Sequence, residues 1–323
     1  AQTVFDLKVD LNALQMSILE IVSDSALKQP KGYIKGEFEV HGSVTEPAYK
    51  GEVAFKEAGF LVSLLNTSFT FPDELIELDN SGVYFKNFTI KDALGGAFVI
   101  NGKVLTENLA DVGFDLKLQT KGVQVMNSTR ADSDLFFGKA SVDLDLHIGG
   151  SATLPVVNVQ LKVNEGTEVS FIVPEDRIDL VERTGVVIFV NHQDPYDIIY
   201  RREGESLTQG IKGYDVKANL KIDPKTIFNL IVDERTNDNL RIQGEADLNM
   251  LMNPNGDISL SGRYEVKNGH YEMNLFNLVN RRFELASGST VIWKGDPMDA
   301  TLDLTAIYNI RTSAAELMQA QLS

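Results

Sequence analysis

Asp143 and Asp145 stand two residues apart in ASVDLDLHIGG, and Asp299 and Asp303 four apart in DPMDATLDL. Carboxylate pairs cleave glycosides, one as acid and one as base or nucleophile, when an enclosed pocket drives their pKa values apart. Both pairs here lie in alternating sequence, on the polar face of a strand, where acidic residues serve solvation. No catalytic residue is assigned. The four histidines, His41, His147, His192 and His270, contain no pair at metal-ligand spacing. NHQDPYD could offer Asp194 and Asp197 to a calcium ion, but it lacks the glycine of a calcium loop. Gly95-Gly96 is followed by no Gly-Lys-Ser/Thr, so it reads as a hairpin turn and not a phosphate cradle. No metal or cofactor is expected. The single tryptophan, Trp293, precedes Gly295-Asp296-Pro297, and an Asp before Pro disfavours helix. Val291 and Trp293 share a face, and Ala300, Leu302, Leu304 and Ala306 resume the alternation beyond the turn. That stretch predicts a hairpin corner.

With chemistry set aside, the elements carry the argument. The chain has 323 residues, 43% of them hydrophobic, enough to fold as one large or two ordinary domains. Its net charge of −16 argues against nucleic acid and against an anionic membrane surface. There is no cysteine, which removes disulfides, thiolate metal sites and cysteine nucleophiles together. No apolar run is long enough for a membrane-spanning helix. The start, AQTVFDLKVDLNALQ, lacks the features of a signal peptide and already alternates as strand, so the chain reads as a piece of a longer protein.

The apolar period is two almost throughout. GEFEVHGSV places Phe38 and Val40 on one face, ASVDLDLHIGG Val142, Leu144, Leu146 and Ile148, and PVVNVQLKV Val157, Val159, Leu161 and Val163. YDVKANLKID, GEADLNMLM, GDISLSGRYEV and DATLDLTAIY repeat the pattern. It predicts antiparallel strands with one dry and one wet face, about 25 of them, stacked at ~4.8 Å into a rod on the order of 100 Å long. Helices are predicted over 11–22, with Leu11, Leu14, Ile18, Leu19 and Val22 on one stripe, over 312–321, and as one turn near Asn277. A faint repeat begins at Gly42 (GSVTEPAYKGEVAF), at Gly150 (GSATLPVVNVQLKV) and more loosely at Asn253. Its proline belongs at a strand start. Loop signals are densest over 174–213, around the strand-like VVIFV. The expected division is an entry strand and helix over 1–30, a first sheet section over 31–175, a bend or surface excursion over 176–213 and a second section over 214–323.

The segment from Ser261 to Ser313 resembles the C-terminal domain of the TamB family (translocation and assembly module), in its Bacteroidota-type form. The carrying features are Gly262-x-Tyr264, Gly269-His270-Tyr271, Asn280-Arg281-Arg282-Phe283, Gly288-Ser289-Thr290, Trp293-x-Gly295-Asp296-Pro297 and Ala306-x-Tyr308. HGSVTEPAYKGEVAF, TIKDALGGAFVINGKV, LFFGKASVDLDLHIGG and IDPKTIFNLIVDERTNDNLRIQGEADL are similar to upstream parts of the family, in the expected order. A sheet with one continuous apolar face must hide it, in a packed sandwich or in a groove, and the residues alone allow both. The resemblance implies the groove: an all-β, elongated, curled antiparallel sheet, taco-like, with one short amphipathic helix near the N-terminus. It further implies an AsmA-like role in the periplasm of a Gram-negative bacterium. A phospholipid or other acyl-chain lipid would be the cargo, and an Omp85-family outer-membrane barrel the partner, reached through parts outside this chain. The alternative is an assembly scaffold that pairs its open edges with nascent outer-membrane strands. The lining expected on this basis is Phe38, Val40, Val53, Phe55, Val142, Leu144, Leu146, Ile148, Val157, Val159, Leu161, Val163, Leu248, Met250, Leu302 and Leu304, more aliphatic than aromatic and uniform along its length.

Overall fold

The computed structural model describes residues 4–23, 26–43, 47–108, 110–173, 213–275 and 279–310. The predicted features at 174–212, at Asn277 and in the tail over 312–321 lie outside these residues. Alternating sequence of this length makes long strands. β1 (Val4–Gln15), β2 (Leu27–Ser43) and β3 (Pro47–Val62) are followed by β4 (Thr67–Phe71) and β5 (Leu75–Asp79), the halves of one interrupted strand. β6 (Gly82–Asp92), β7 (Ala97–Leu105), β8 (Gly113–Ser128) and β9 (Phe136–Ser151) come next. Two further interrupted strands follow, β10 (Pro155–Val163) with β11 (Glu168–Ile172), and β12 (Asp215–Ile222) with β13 (Ile227–Asp233). β14 (Asp238–Met252) and β15 (Ile258–Leu275) precede the last two, β16 (Val279–Leu285) with β17 (Thr290–Gly295), and β18 (Ala300–Asp303) with β19 (Ala306–Ile307).

The nineteen strands of the described residues form one curled sheet, in which each strand or strand pair lies beside the next in sequence. The ladders are antiparallel except β10–β12 and β11–β13, the two parallel ones. The nineteen strands make about 14 columns, because the halves of an interrupted strand share one, and at ~4.8 Å per column the sheet runs on the order of 65 Å. The described strands are fewer than the expected 25 in part because single strands are long (β15 has 18 residues) and serve two walls.

The second wall comes from a crease that crosses every column. Along it strands break or bulge in many columns, while β7, β9 and β14 run through it uninterrupted. β1 bulges between Leu11 and Leu14, β6 between Phe85 and Phe88, β8 between Thr120 and Val123, and β15 where Val266 and Asn268 face the adjacent Gly244 and Gln243. The breaks are PDE (72–74), NEGT (164–167), DPKT (223–226), ASGS (286–289) and LT (304–305). An inserted residue bends a strand and increases its twist. Gly122 and Gly166 take φ of 65° and 83° there, values that L side chains rarely adopt. Thr167 and Thr226, buried at these breaks, tie the columns together: Ser141 N–H donates to Thr167 Oγ1 at 3.1 Å, and Ile227 N–H to the Thr167 carbonyl at 2.9 Å.

The bulge in β1 also corrects the predicted helix over 11–22. Leu11 to Gln15 complete the strand, and only Ile18–Val22 form a single turn, α1. Across the bulge Leu11 faces Gly36 and Leu14 faces Ile34, so a three-residue spacing keeps one face and imitates helical periodicity. The sequence repeat has a spatial meaning. Gly42 pairs with Pro47 and Gly150 with Pro155, so each proline opens a strand after a hairpin, and the third copy is the turn between β14 and β15. All three turns lie on the rim of the same wall.

Asp92 locks the far end of β6. Its carboxylate is 4% exposed and accepts three backbone N–H groups, from Leu94 (2.9 Å), Gly96 (2.7 Å) and Gln124 (2.7 Å). The last of these lies on β8. Asp92→Ala leaves those donors without an acceptor and is expected to destabilise the fold by about 3 kcal/mol in a urea melt. A loss below about 1 kcal/mol would show that the carboxylate does not hold the two strands together.

Candidate functional site

The register aligns apolar residues into rows across the sheet. One row reads Leu11, Gly36, Val53, Ile76, Phe85, Gly102, Leu116, Ile148, Val157, Val216, Met252 and Ile258, each the cross-strand partner of the next. A parallel row nearer the crease runs Phe98, Thr120, Leu144, Leu161, Leu220, Leu248, Gly262, Trp293 and Ala300. Folding along the crease turns both rows inward against the shorter second wall. Phe228 of that wall meets Tyr264 of the first at 6.3 Å between ring centroids, and Phe71 meets Phe55 at 5.5 Å. The result is a groove with a dry interior.

The interior is not uniform. Beside β3 to β7 it holds seven phenylalanines, Phe55, Phe60, Phe69, Phe71, Phe85, Phe88 and Phe98, in ring contacts of 5.4–6.1 Å. Met16 is buried against this cluster. Beside β8 to β14 the lining is mostly aliphatic, with Phe114, Phe171 and Phe228 spread along it. This phenylalanine cluster departs from the expectation of an aliphatic, even lining. An overall aromatic share of 8% conceals the clustering, although Phe69-x-Phe71 and Phe85-x-x-Phe88 were visible signals.

Of the residues expected to line the groove, those within strands share the parity of these two rows, and Leu304 lies in the break between β18 and β19. Phe38, Val40, Val53 and Phe55 are half-buried on β2 and β3, the ring of Phe38 lying flat over Gly36 and Gly51, where a Cβ would collide with it. Val142 is buried by the crease, while Leu144, Leu146, Ile148, Val157, Val159, Leu161, Val163 and Met250 are half-buried and Leu248 is buried. Leu302 and Leu304 stand at the last columns, 62% and 43% exposed. On the second wall sequence reasoning missed Phe171 and Leu230, which sit toward the rim, 43% and 36% exposed. They were missed because the fold back at the crease cannot be read from alternation.

The outer face is polar. Asp143 and Asp145 border an open dent of about 750 Å³ lined also by Gln119, Lys121, Gln160 and Lys162. Burial opposes charge on Asp143, but hydrogen bonds from Asn164 (2.7 Å) and the Gly122 N–H (2.8 Å) outweigh it and hold the carboxyl below its usual range. Asp145 accepts from Gln119 at 2.7 Å. A carboxyl held ionised in this way is not a general acid, so Asp143 does not fit that role. Asp299 lies in the turn before β18, so it does not share a strand face with Asp303. His41, His147 and His270 sit far apart beside Asp6, Asp115 and Glu272, and no cluster of metal-ligating residues occurs among the described residues. Trp293 Nε1 donates to the Pro297 carbonyl at 3.1 Å, and Asp296 accepts the Met298 N–H at 2.8 Å. The tryptophan clamps its own hairpin.

A sheet creased into an apolar groove is compatible with several families, and a comparison of sequences decides among them. The model of the TamB C-terminal domain family matches residues 86–322. This chain belongs to the TamB family. No curated protein and no solved structure matches it. A TamB-like envelope protein is thereby assigned, and the match covers the aliphatic section of the groove and both interrupted strands beyond it. No helix among the described residues is long and apolar enough to cross a membrane.

Proposed function

We propose that this TamB-family chain carries or shields phospholipid across the periplasm in support of outer-membrane biogenesis, with the acyl chains in the groove and the head group in the open seam. The observation that carries this reading is the in-register apolar row that crosses β1 to β15 without a charged member. Each acyl methylene brought into water costs about 0.8 kcal/mol, so a lipid crossing water alone faces a barrier on the order of 10 kcal/mol. A dry lining removes much of that cost through burial alone, without a catalytic residue. The full-length protein would be anchored in the inner membrane and would meet an Omp85-family barrel through parts outside this chain.

A second reading has one observation in its favour. Among the described residues β1 pairs with β2 alone, leaving its outer edge unpaired, with Leu7 and Val9 51% and 42% exposed. Such an edge can take up an incoming strand by β-augmentation. One experiment separates the two. Lipid extracted from the purified chain and identified by mass spectrometry is expected to contain phospholipid at about one or more per chain. Lipid-free protein that binds unfolded barrel peptides tightly, with new hydrogen-exchange protection in β1, would favour the scaffold.

A further inference from the structure

Arg281 is a cation on the apolar side of the sheet. Its cross-strand partner is Met273, and the next pair along the same face is Tyr271 with Phe283. Alternation puts Arg282 on the opposite, polar face, where it pairs with Glu284 at 2.6 Å. The described arginines Arg130, Arg235, Arg241, Arg263 and Arg282 all reach a carboxylate. Arg281 reaches none among the described residues, although the chain carries a net charge of −16. Its guanidinium stacks over the Tyr308 ring at 5.3 Å, and Tyr308 packs on Phe283 at 5.1 Å. Its Nε is buried and meets no acceptor. Buried N–H donors without a partner are uncommon and costly.

The position matters as much as the pairing. Arg281 lies five residues from Ala286 at the crease, about 17 Å along a strand. Half the hydrocarbon core of a bilayer is about 15 Å, the depth of one layer of acyl chains. Between the two depths lie Leu285 and Phe283, apolar and half-buried. The cation therefore stands where the head group of a lipid would come to rest with its chains reaching the crease. A guanidinium held flat by an aromatic ring presents its remaining N–H groups to a phosphate in paired geometry.

We infer that Arg281, backed by Tyr308, receives the phosphate of a phospholipid at the last columns of the groove. This rests on the lipid reading above. The test compares binding of a phosphatidylglycerol and of a diacylglycerol with the same chains and the same chain-borne fluorophore. The 323-residue chain is expected to bind the phospholipid at least tenfold more tightly. Arg281→Gln should lose at least tenfold for the phospholipid and nothing for the diacylglycerol, while Arg282→Gln changes neither. Circular dichroism checks folding. Should Arg281→Gln not fold, Arg281→Lys carries the same comparison, with a three- to tenfold loss expected. Unchanged phospholipid binding in a folded Arg281 variant overturns the head-group assignment and leaves the groove standing. A wild-type chain that binds neither lipid removes the groove reading and this assignment together. Inorganic phosphate alone, followed by calorimetry, is expected to bind at least a hundredfold more weakly than the phospholipid. Equal binding makes a free anion the ligand and overturns the lipid assignment.

Discussion

Phe71→Ala is expected to destabilise the fold by about 4 kcal/mol, the largest loss of any single truncation in the groove. The ring is 7% exposed and lies 5.5 Å from Phe55, 5.4 Å from Phe60 and 5.7 Å from Phe88, joining the two walls near the crease. Removing it deletes the transfer energy of a phenyl group and leaves a cavity that neighbouring rings fill only in part. For a fold held by roughly 5–15 kcal/mol, that is a large fraction. Urea melts would measure it, with Leu94→Ala, 75% exposed at a hairpin tip, as a control expected to shift by less than about 0.5 kcal/mol. A Phe71→Ala loss under about 1 kcal/mol would mean that the aromatic section does not close the groove.

Leu144→Asp is expected to leave the fold standing and to remove most of the bound lipid. Leu144 is half-buried in the aliphatic section, in a row between Thr120 and Leu161. If the walls there stood apart to admit chains, the new carboxylate would reach water, costing about 1–2 kcal/mol, while charge in the lining would expel hydrocarbon. If the walls packed face to face, the same carboxylate would be buried without a partner and the protein would not fold. Asp145→Asn, on the outer face beside Gln119, is the control and should alter neither property. Lipid-to-protein ratios and thermal melts read the two cases apart. An unfolded Leu144→Asp argues for a sandwich in this section, and a folded variant with full lipid loading removes Leu144 from the path.

The fold class was legible because alternation is a local property. Val157, Val159, Leu161 and Val163 announce a strand face whatever lies beside them, and so do Val142, Leu144, Leu146 and Ile148. The turn at Trp293 was equally local, since Gly295-Asp296-Pro297 permits little else. What misled was also local. A β-bulge changes the spacing of one face from two to three, so Leu11 and Leu14 resembled a helix stripe while belonging to β1.

The chain order of apolar and polar residues by itself determined an all-β protein with one dry face, because a period of two has one structural solution in water. Tertiary structure alone decided what that face encloses. The crease that folds the sheet depends on bulges and breaks lining up column after column, at Leu11, Phe85, Gly122, Asn164 and Asp223. Each looks like an unrelated irregularity in sequence. Register between strands far apart in the chain made them a line, gathered seven phenylalanines into one section of the groove, and brought Tyr308 against Arg281 and Phe283. Cross-strand pairing is a non-local choice, and alternation carries no information about which strand stands next to which.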